Sequence, residues 1–263
     1  MVISCEKKDT GNNNTQPTTE LATVCQVSVT DEQINEGMLT AMDAADGTED
    51  NNADLRPMGC AVVTNNIDTK TITVDFGSGC VNPLTGELRS GKIIIIYTGD
   101  SYTTATQRSF QFLNFTSSDS ITLNGTFIQT AITRSVNTVG FTLNTSDFTF
   151  LLKSGKTHTI VSYERNFAIN LGNDLRDLSD NTTTVSGNVT GINKEGEPYS
   201  LTTVTPVVFN GGCAVSRIFY PTKGACDVKI GDKPKVNISW GSGSCDKIIT
   251  ISYLGNTVDV VLQ

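Results

Sequence analysis

Histidine occurs once in 263 residues, tryptophan once, and charged side chains fill only 17% of positions. A single imidazole, His158, cannot build a multi-histidine metal centre. No Gly-x-Ser-x-Gly elbow is present to supply it with a nucleophile. Basic residues are also few: 19 Lys and Arg against 27 Asp and Glu leave a net charge of −8. Such a chain repels phosphate backbones at long range, so nucleic acid is not an expected partner. No apolar run approaches the ~20 residues of a membrane-spanning helix. Apolar residues make up 37% of the chain, enough to bury a core. The 38 Thr and 22 Asn favour strands and turns over long helices.

Val2-Ile3-Ser4-Cys5 has the form of a bacterial lipobox, with an aliphatic residue three before the Cys and a small one directly before it. On this reading the Cys5 thiol takes diacylglycerol. The charged and apolar regions of a signal peptide that should precede it are missing, so the start is read as trimmed or Met1 as not the native start. Residues 6 to 20 are charged, then rich in Asn, Thr and Gln, with no apolar side chain, the composition of a solvated tether. A soluble domain held off a membrane needs such a segment after its anchor.

Six further cysteines, Cys25, Cys60, Cys80, Cys213, Cys226 and Cys245, are an even number with almost no histidine beside them. Their nearest spacings, 13, 19 and 20 residues, are too long for close metal-ligand pairs, so disulfides and an oxidising compartment are expected, with no metal and no cofactor. A repeat organises four of them. Cys60-Ala61-Val62 leads through a strand ending in Phe76 to Gly77-Ser78-Gly79-Cys80 and then Lys92-Ile93-Ile94. Cys213-Ala214-Val215 leads through a strand ending in Trp240 to Gly241-Ser242-Gly243-Ser244-Cys245 and then Lys247-Ile248-Ile249. In each copy the Cys-Ala-Val strand is expected to pair with the strand ending in the aromatic, joining Cys60 to Cys80 and Cys213 to Cys245. Cys25 and Cys226 are left, as a third pair or as thiols. Neither Gly-Ser-Gly segment leads into a helix, so both read as turns and not as phosphate loops.

Along the chain, residues 1–24 read as lipobox remnant and tether, and 25–56 as a short helix from Thr30 followed by the acidic loop Asp43 to Asp54. That loop lacks the EF-hand order and reads as a solvated linker. Residues 57–263 read as one β domain, with the repeated unit at about 60–98 and 213–254. Ile93 to Tyr97 is apolar on both parities, as a strand covered on both faces would be. Val161, Tyr163, Phe167 and Ile169 share one parity, which places His158 on the solvated face. Turns are expected at or near Asn124-Gly125 and at Ser154-Gly155, Gly172-Asn173-Asp174, Glu195-Gly196, Gly211-Gly212 and Gly255-Asn256. The expected fold is mainly β: a long, twisted antiparallel sheet, as a sandwich, half-barrel or open curved sheet, with one short N-terminal helix.

For chemistry the chain offers little. Asp75, Glu87, Asp119, Asp147 and Glu164 could in principle be paired carboxylates, but the repeat has Ser239 where the first copy has Asp75. Arg89, Arg108, Arg134 and Arg165 read as sheet-surface charges that discourage edge pairing. No catalytic residue is expected.

Cys5 with its tether, TITVDFGSGC (71–80), LRSGKIIIIYTGD (88–100), the stretch from Ser120 to Thr126 and the closing GSGSCDKIITISYLGN (241–256) together resemble the uncharacterised surface lipoproteins abundant in Bacteroidetes. The resemblance spans about residues 5 to 263 and rests on motif order. It implies a secreted, mainly β protein, lipid-anchored at the bacterial outer membrane or cell surface, and no activity. The expected role is binding of a glycan or protein, or assembly, at the surface. The alternatives are a carrier of an apolar ligand in a half-barrel and a fimbrial subunit that donates Thr257 to Gln263 or its N-terminal segment to a neighbour.

Overall fold

A computed structural model describes residues 5–7, 60–81, 88–117, 121–173, 178–215 and 220–262, with the helical positions Ile34, Gly37, Met38, Thr40, Ala41, Met42 and Ala45. The strands are β1 (Cys5–Lys7), β2 (Val62–Asn66), β3 (Thr71–Val81), β4 (Leu88–Tyr97), β5 (Arg108–Ser117), β6 (Ile121–Arg134), β7 (Thr138–Thr145) and β8 (Phe148–Leu152). They continue as β9 (Thr157–Asn170), β10 (Thr182–Ile192), β11 (Pro198–Asn210), β12 (Lys223–Ile230), β13 (Val236–Ser242), β14 (Ile248–Tyr253) and β15 (Asn256–Leu262). Among the described residues the protein is mainly β, 68% strand, in one antiparallel sheet with a path of 14 strands. The order is β1-β15-β14-β13-β12-β11-β10-β9-β7-β6-β5-β4-β3-β2, and β8 pairs with β6 and β9 beside that path. Most neighbours in the sheet are neighbours in sequence, because connections such as Ile67 to Lys70 are too short to cross over.

Two compact units divide the chain: Thr30–Ile132 with Leu143–Ser162, and Val2–Val29 with Thr133–Thr142 and Tyr163–Gln263. In the first, β3 shows how composition makes a strand. Ile72, Val74 and Phe76 are buried while Thr71, Thr73 and Asp75 between them are half-exposed. The core is an aromatic cluster in which the Phe112 ring lies 5.8 Å from Phe115, 6.5 Å from Phe127 and 5.6 Å from Phe148. Each such ring, fully buried, contributes on the order of 2–3 kcal/mol. Of the stripe expected for the helix, Ile34, Met38, Ala41 and Met42, the first three are buried together with Ala45, and Met42 is half-buried. Gly37, a poor helix former, has a reason: a Cβ there would lie 3.0 Å from Phe112 and 3.3 Å from Leu123, so its absence lets the helix settle onto the sheet.

In the second unit, Val189, Leu201, Val228 and Val236 are buried and are direct register partners in turn across β10 to β13. Cys226, Ile238 and Ile251 make a parallel buried row across β12 to β14. These cross-strand rows are the packing unit of the sheet.

Four expectations are corrected. Ile93, Ile95 and Tyr97 are buried, but Ile96 is 48% exposed, so β4 is covered on one face only. Its second parity reflects the liking of β-branched side chains for strands, not burial. Asn124-Gly125 is not a turn; both residues lie inside β6. Gly125 adopts φ +133°, and a Cβ there would lie 2.7 Å from the Phe148 ring, so the glycine serves close approach of β8. Cys213-Ala214-Val215 is not a strand but part of the helical turn Gly211–Val215, and the strand paired with β13 on that side is β12. Gly211-Gly212 opens that helical turn. Finally, Val161 is exposed while Tyr163 is buried; Val161 and Ser162 are both exposed in succession, which shifts the alternation of β9 by one residue.

Gly125→Ala is expected to destabilise the protein by about 2–4 kcal/mol through its backbone angle and the clash with Phe148. Gly155→Ala, at a turn with open space around it, should cost only about 1 kcal/mol. Urea denaturation of both variants measures the difference.

Candidate functional site

Cys5 lies in β1, which pairs antiparallel with β15: Cys5 opposite Leu262, Glu6 opposite Val261 and Lys7 opposite Val260. Within the segment read as tether, three residues are therefore strand, placed at the sheet edge beside the end of the chain. Lys8 to Val24 lies outside the described residues, as does Cys25. The acidic loop Asp43 to Asp54 does too, except Ala45, which is helical.

The structure joins Cys60 to Cys80 and Cys213 to Cys245, with Cα–Cα distances of 5.3 Å in each. Both bridges anchor the end of the strand that carries the buried aromatic, Phe76 in β3 and Trp240 in β13. Their other ends differ: Cys60 precedes the strand β2, whereas Cys213 sits in a helical turn. The copies thus agree in strand, glycine-rich segment and bridge, and diverge in the Cys-Ala-Val element. Cys226 is buried in β12. The bridges close loops of 20 and 32 residues, which in the chain-entropy model contribute roughly 3 and 4 kcal/mol. Replacing each pair by alanine should lower the free energy of unfolding by those amounts, read from urea midpoints.

The exposed side of the second unit carries a continuous polar row. Asn188, Thr202, Asp227, Asn237, Ser252 and Thr257 are successive register partners across β10 to β15, none of them buried. Asn237 Nδ2 donates to Asp227 Oδ1 at 3.0 Å, and Lys235 Nζ donates to Asp227 Oδ2. Beside it, Thr250 Oγ1 donates to Asp259 Oδ1 at 2.8 Å. The first unit has a mixed row, Asn66, Thr71, Ile96, Ser109 and Ile128. Strand spacing sets such groups ~4.8 Å apart, a lattice of hydroxyls, amides and one carboxylate able to hydrogen-bond a polar polymer or a second protein surface.

The carboxylates considered for hydrolysis are not gathered into an acid–base pair among the described residues. Asp75 binds Lys92 Nζ at 2.9 Å and accepts from the Gly77 amide at 2.9 Å. The Lys92 hydrogen bond, then that of Gly77, holds its carboxyl below the usual range. Lys235 and then Asn237 do the same for Asp227, and Lys233 and then Asn193 for Glu197. Asp147 and Glu164 are exposed, and Glu87 and Asp119 lie outside the described residues. No group of three or more His, Cys, Asp and Glu able to hold a metal occurs among the described residues.

The buried polar groups overturn the surface readings. Arg108 is 2% exposed: its Nε and Nη2 donate to the Tyr102 carbonyl at 3.0 and 2.7 Å, and its Nη1 to Gln129 Oε1 at 3.3 Å. Its guanidinium also lies 3.9 Å from the centre of the Tyr102 ring. Charge-assisted bonds and stacking offset the desolvation of the cation and pin the 97–108 connection to β6. Arg165 is 1% exposed and donates through Nη1 to Thr203 Oγ1 at 2.8 Å, which also accepts from the Gly187 amide at 3.1 Å. Arg134 is exposed and Arg89 half-buried. His158 is fully buried, edge-on to Phe150 at 5.6 Å. The signal was available: Arg108 shares parity with Phe110 and Phe112, Arg165 with Tyr163, and His158 with Ile160. Val161, taken as the inward reference, is the residue out of phase.

Set against known protein families, curated proteins and solved structures, the chain matches none. The functional reading therefore rests on its own residues.

Burial desolvates the His158 imidazolium and pushes its pKa down from 6.5 to about 4. Above pH 6.5 folded and unfolded chains both hold it neutral. Below that the unfolded chain takes up a proton that the folded one refuses, so stability falls with pH and levels off near pH 4, a loss of about 3 kcal/mol. The lowered carboxylates lose their contributions only further down, as the pH falls through their depressed values. Urea titrations should show the upper limb, and His158→Gln should flatten it.

Proposed function

We propose that this chain is a non-enzymatic lipoprotein of the bacterial cell envelope, anchored through Cys5 at the outer membrane or cell surface, where its sheet binds a glycan or protein partner. The two disulfides carry the reading, since such bridges persist outside the reducing cytoplasm. Val2-Ile3-Ser4-Cys5 supplies the acylation signal. Acyl chains contribute about 0.8 kcal/mol per buried CH₂, so two or three of them on one cysteine hold a soluble domain stably with no polypeptide in the lipid. The polar row from Asn188 to Thr257 supports a polar partner, and the engagement of Asp75, Asp227 and Glu197 by lysines supports a role without chemistry.

Fractionation of the native host, with intact mass of the N-terminal peptide, tests the anchor. Wild-type protein should pellet with membranes and carry diacylglycerol on Cys5, and Cys5→Ser should move to the soluble fraction. Equal partitioning of both forms, with no lipid on the peptide, would sink the reading.

A further inference from the structure

The polar row of the second unit runs straight across six strands, from Asn188 in β10 to Thr257 in β15. We propose that this row is a binding track for a single chain of an uncharged polysaccharide, laid across the strands. The proposal rests on the surface-binding role above and names its ligand class; it does not depend on acylation.

Four observations carry it. First, the row is doubled. Thr205, Ala225, Ser239, Thr250 and Asp259 are also successive register partners, across β11 to β15, and none is buried. On β12 to β15 they stand two residues along each strand from the first row, which sets the two rows about 6.7 Å apart on one face. Second, neither row contains an aromatic or large aliphatic side chain. Protein interfaces draw their binding energy from Trp, Tyr and Arg around an apolar centre, where Ser, Thr and Asp are scarce. Sugar hydroxyls, each both donor and acceptor, suit these rows instead. An exposed row need not be polar: in the first unit Ile96 and Ile128, 48% and 38% exposed, flank Ser109 in one. Third, charge selects against ionic polymers. An anionic chain meets Asp227 and Asp259 on a protein of net charge −8, and a cationic one finds Asp227 already paired with Lys235. Fourth, Ser, Thr and Asn lose less rotamer freedom on binding than Lys or Glu, and the strands fix their spacing at ~4.8 Å. Five such steps make the row about 24 Å long. Sheets twist by about 20–25° per strand, so the row turns by roughly 100° over its length, which a single polymer chain follows and a flat crystalline surface does not. Each hydrogen bond replaces one to water and contributes little, so affinity comes from engaging many at once, and ligand length is the signature.

The test uses the full chain in a Cys5→Ser background, which removes any dependence on the lipid. It is run in native gels containing a soluble neutral polymer, either mixed-linkage β-glucan, mannan or dextran, with alginate as the anionic contrast. A neutral polymer should retard the chain and alginate should leave it unmoved. Oligosaccharides cut from the retarding polymer, titrated by calorimetry, should bind more tightly with each added sugar until they span about 24 Å, and then level off. Thr202→Ala combined with Ser252→Ala should weaken binding roughly tenfold, two hydrogen bonds being lost. Thr71→Ala combined with Ser109→Ala, the same change in the first unit, should bind like the parent. The length series needs no variant, so it decides the matter even where a substitution perturbs folding. Retardation by none of the neutral polymers overturns the proposal, as does stronger retardation by alginate, equal binding by parent and row variant, or affinity independent of ligand length. Capture of a host protein that the parent binds and the row variant alone loses would put a protein on the row; it overturns the polysaccharide while leaving surface binding intact. Because lipid is absent throughout, every failure leaves the anchoring reading untouched.

Discussion

The N–H and C=O groups of a strand point sideways, so a strand in this protein is satisfied by the strands beside it or by water. That constraint organises the molecule. Each hairpin passes its unpaired outer edge to the next strand, and the sheet grows in sequence order from β2 towards β15, reordered only among β6 to β9. Side-chain alternation then decides which face is dry. Because adjacent strands keep register, the buried residues align into transverse rows such as Val189-Leu201-Val228-Val236, and the polar residues align into rows on the opposite face. Core and exposed lattice are two consequences of one ladder.

Where the ladder is interrupted, specific residues absorb the irregularity. Gly125 lets β8 press against β6, and the shift at Val161-Ser162 changes the phase of β9. Arg108 and Arg165 look costly in a dry interior, yet each is fixed by backbone or hydroxyl acceptors and a tyrosine face. They act as buried connectors, and their chemistry is spent on holding the chain.

The mainly antiparallel β architecture was legible from the alternation of apolar residues and the short glycine-containing connections, and the helix from the spacing of Ile34, Met38 and Ala41. The strand-to-bridge half of the repeat was legible because Phe76 and Trp240 stand at the same distance before a Gly-Ser-Gly segment. The other half was not, since three residues, Cys-Ala-Val, suit a strand or a helical turn equally, and tertiary context decides. The burial of His158, Arg108 and Arg165 was obscured by the habit of assigning polar residues to the wet face. Parity with their nearest apolar neighbours was the better guide, and at His158 that neighbour was Ile160, because the phase of β9 changes at Val161-Ser162. The pairing of β1 with β15 could not have been read at all, because nothing in three residues, Cys-Glu-Lys, marks a strand. For the candidate site, the bridge pairs were visible in sequence, whereas the polar row depends on register, which emerges only from the assembled sheet.

A meander of this kind has an order of completion built into its wiring. Strands β2 to β5 and β9 to β15 each pair with a strand that directly precedes or follows in sequence, so local contacts can assemble most of the sheet with little searching. The bond between first and last strands is the exception. It joins Cys5 to Leu262, 257 positions apart, so it cannot form by local zipping and closes only around a sheet already assembled.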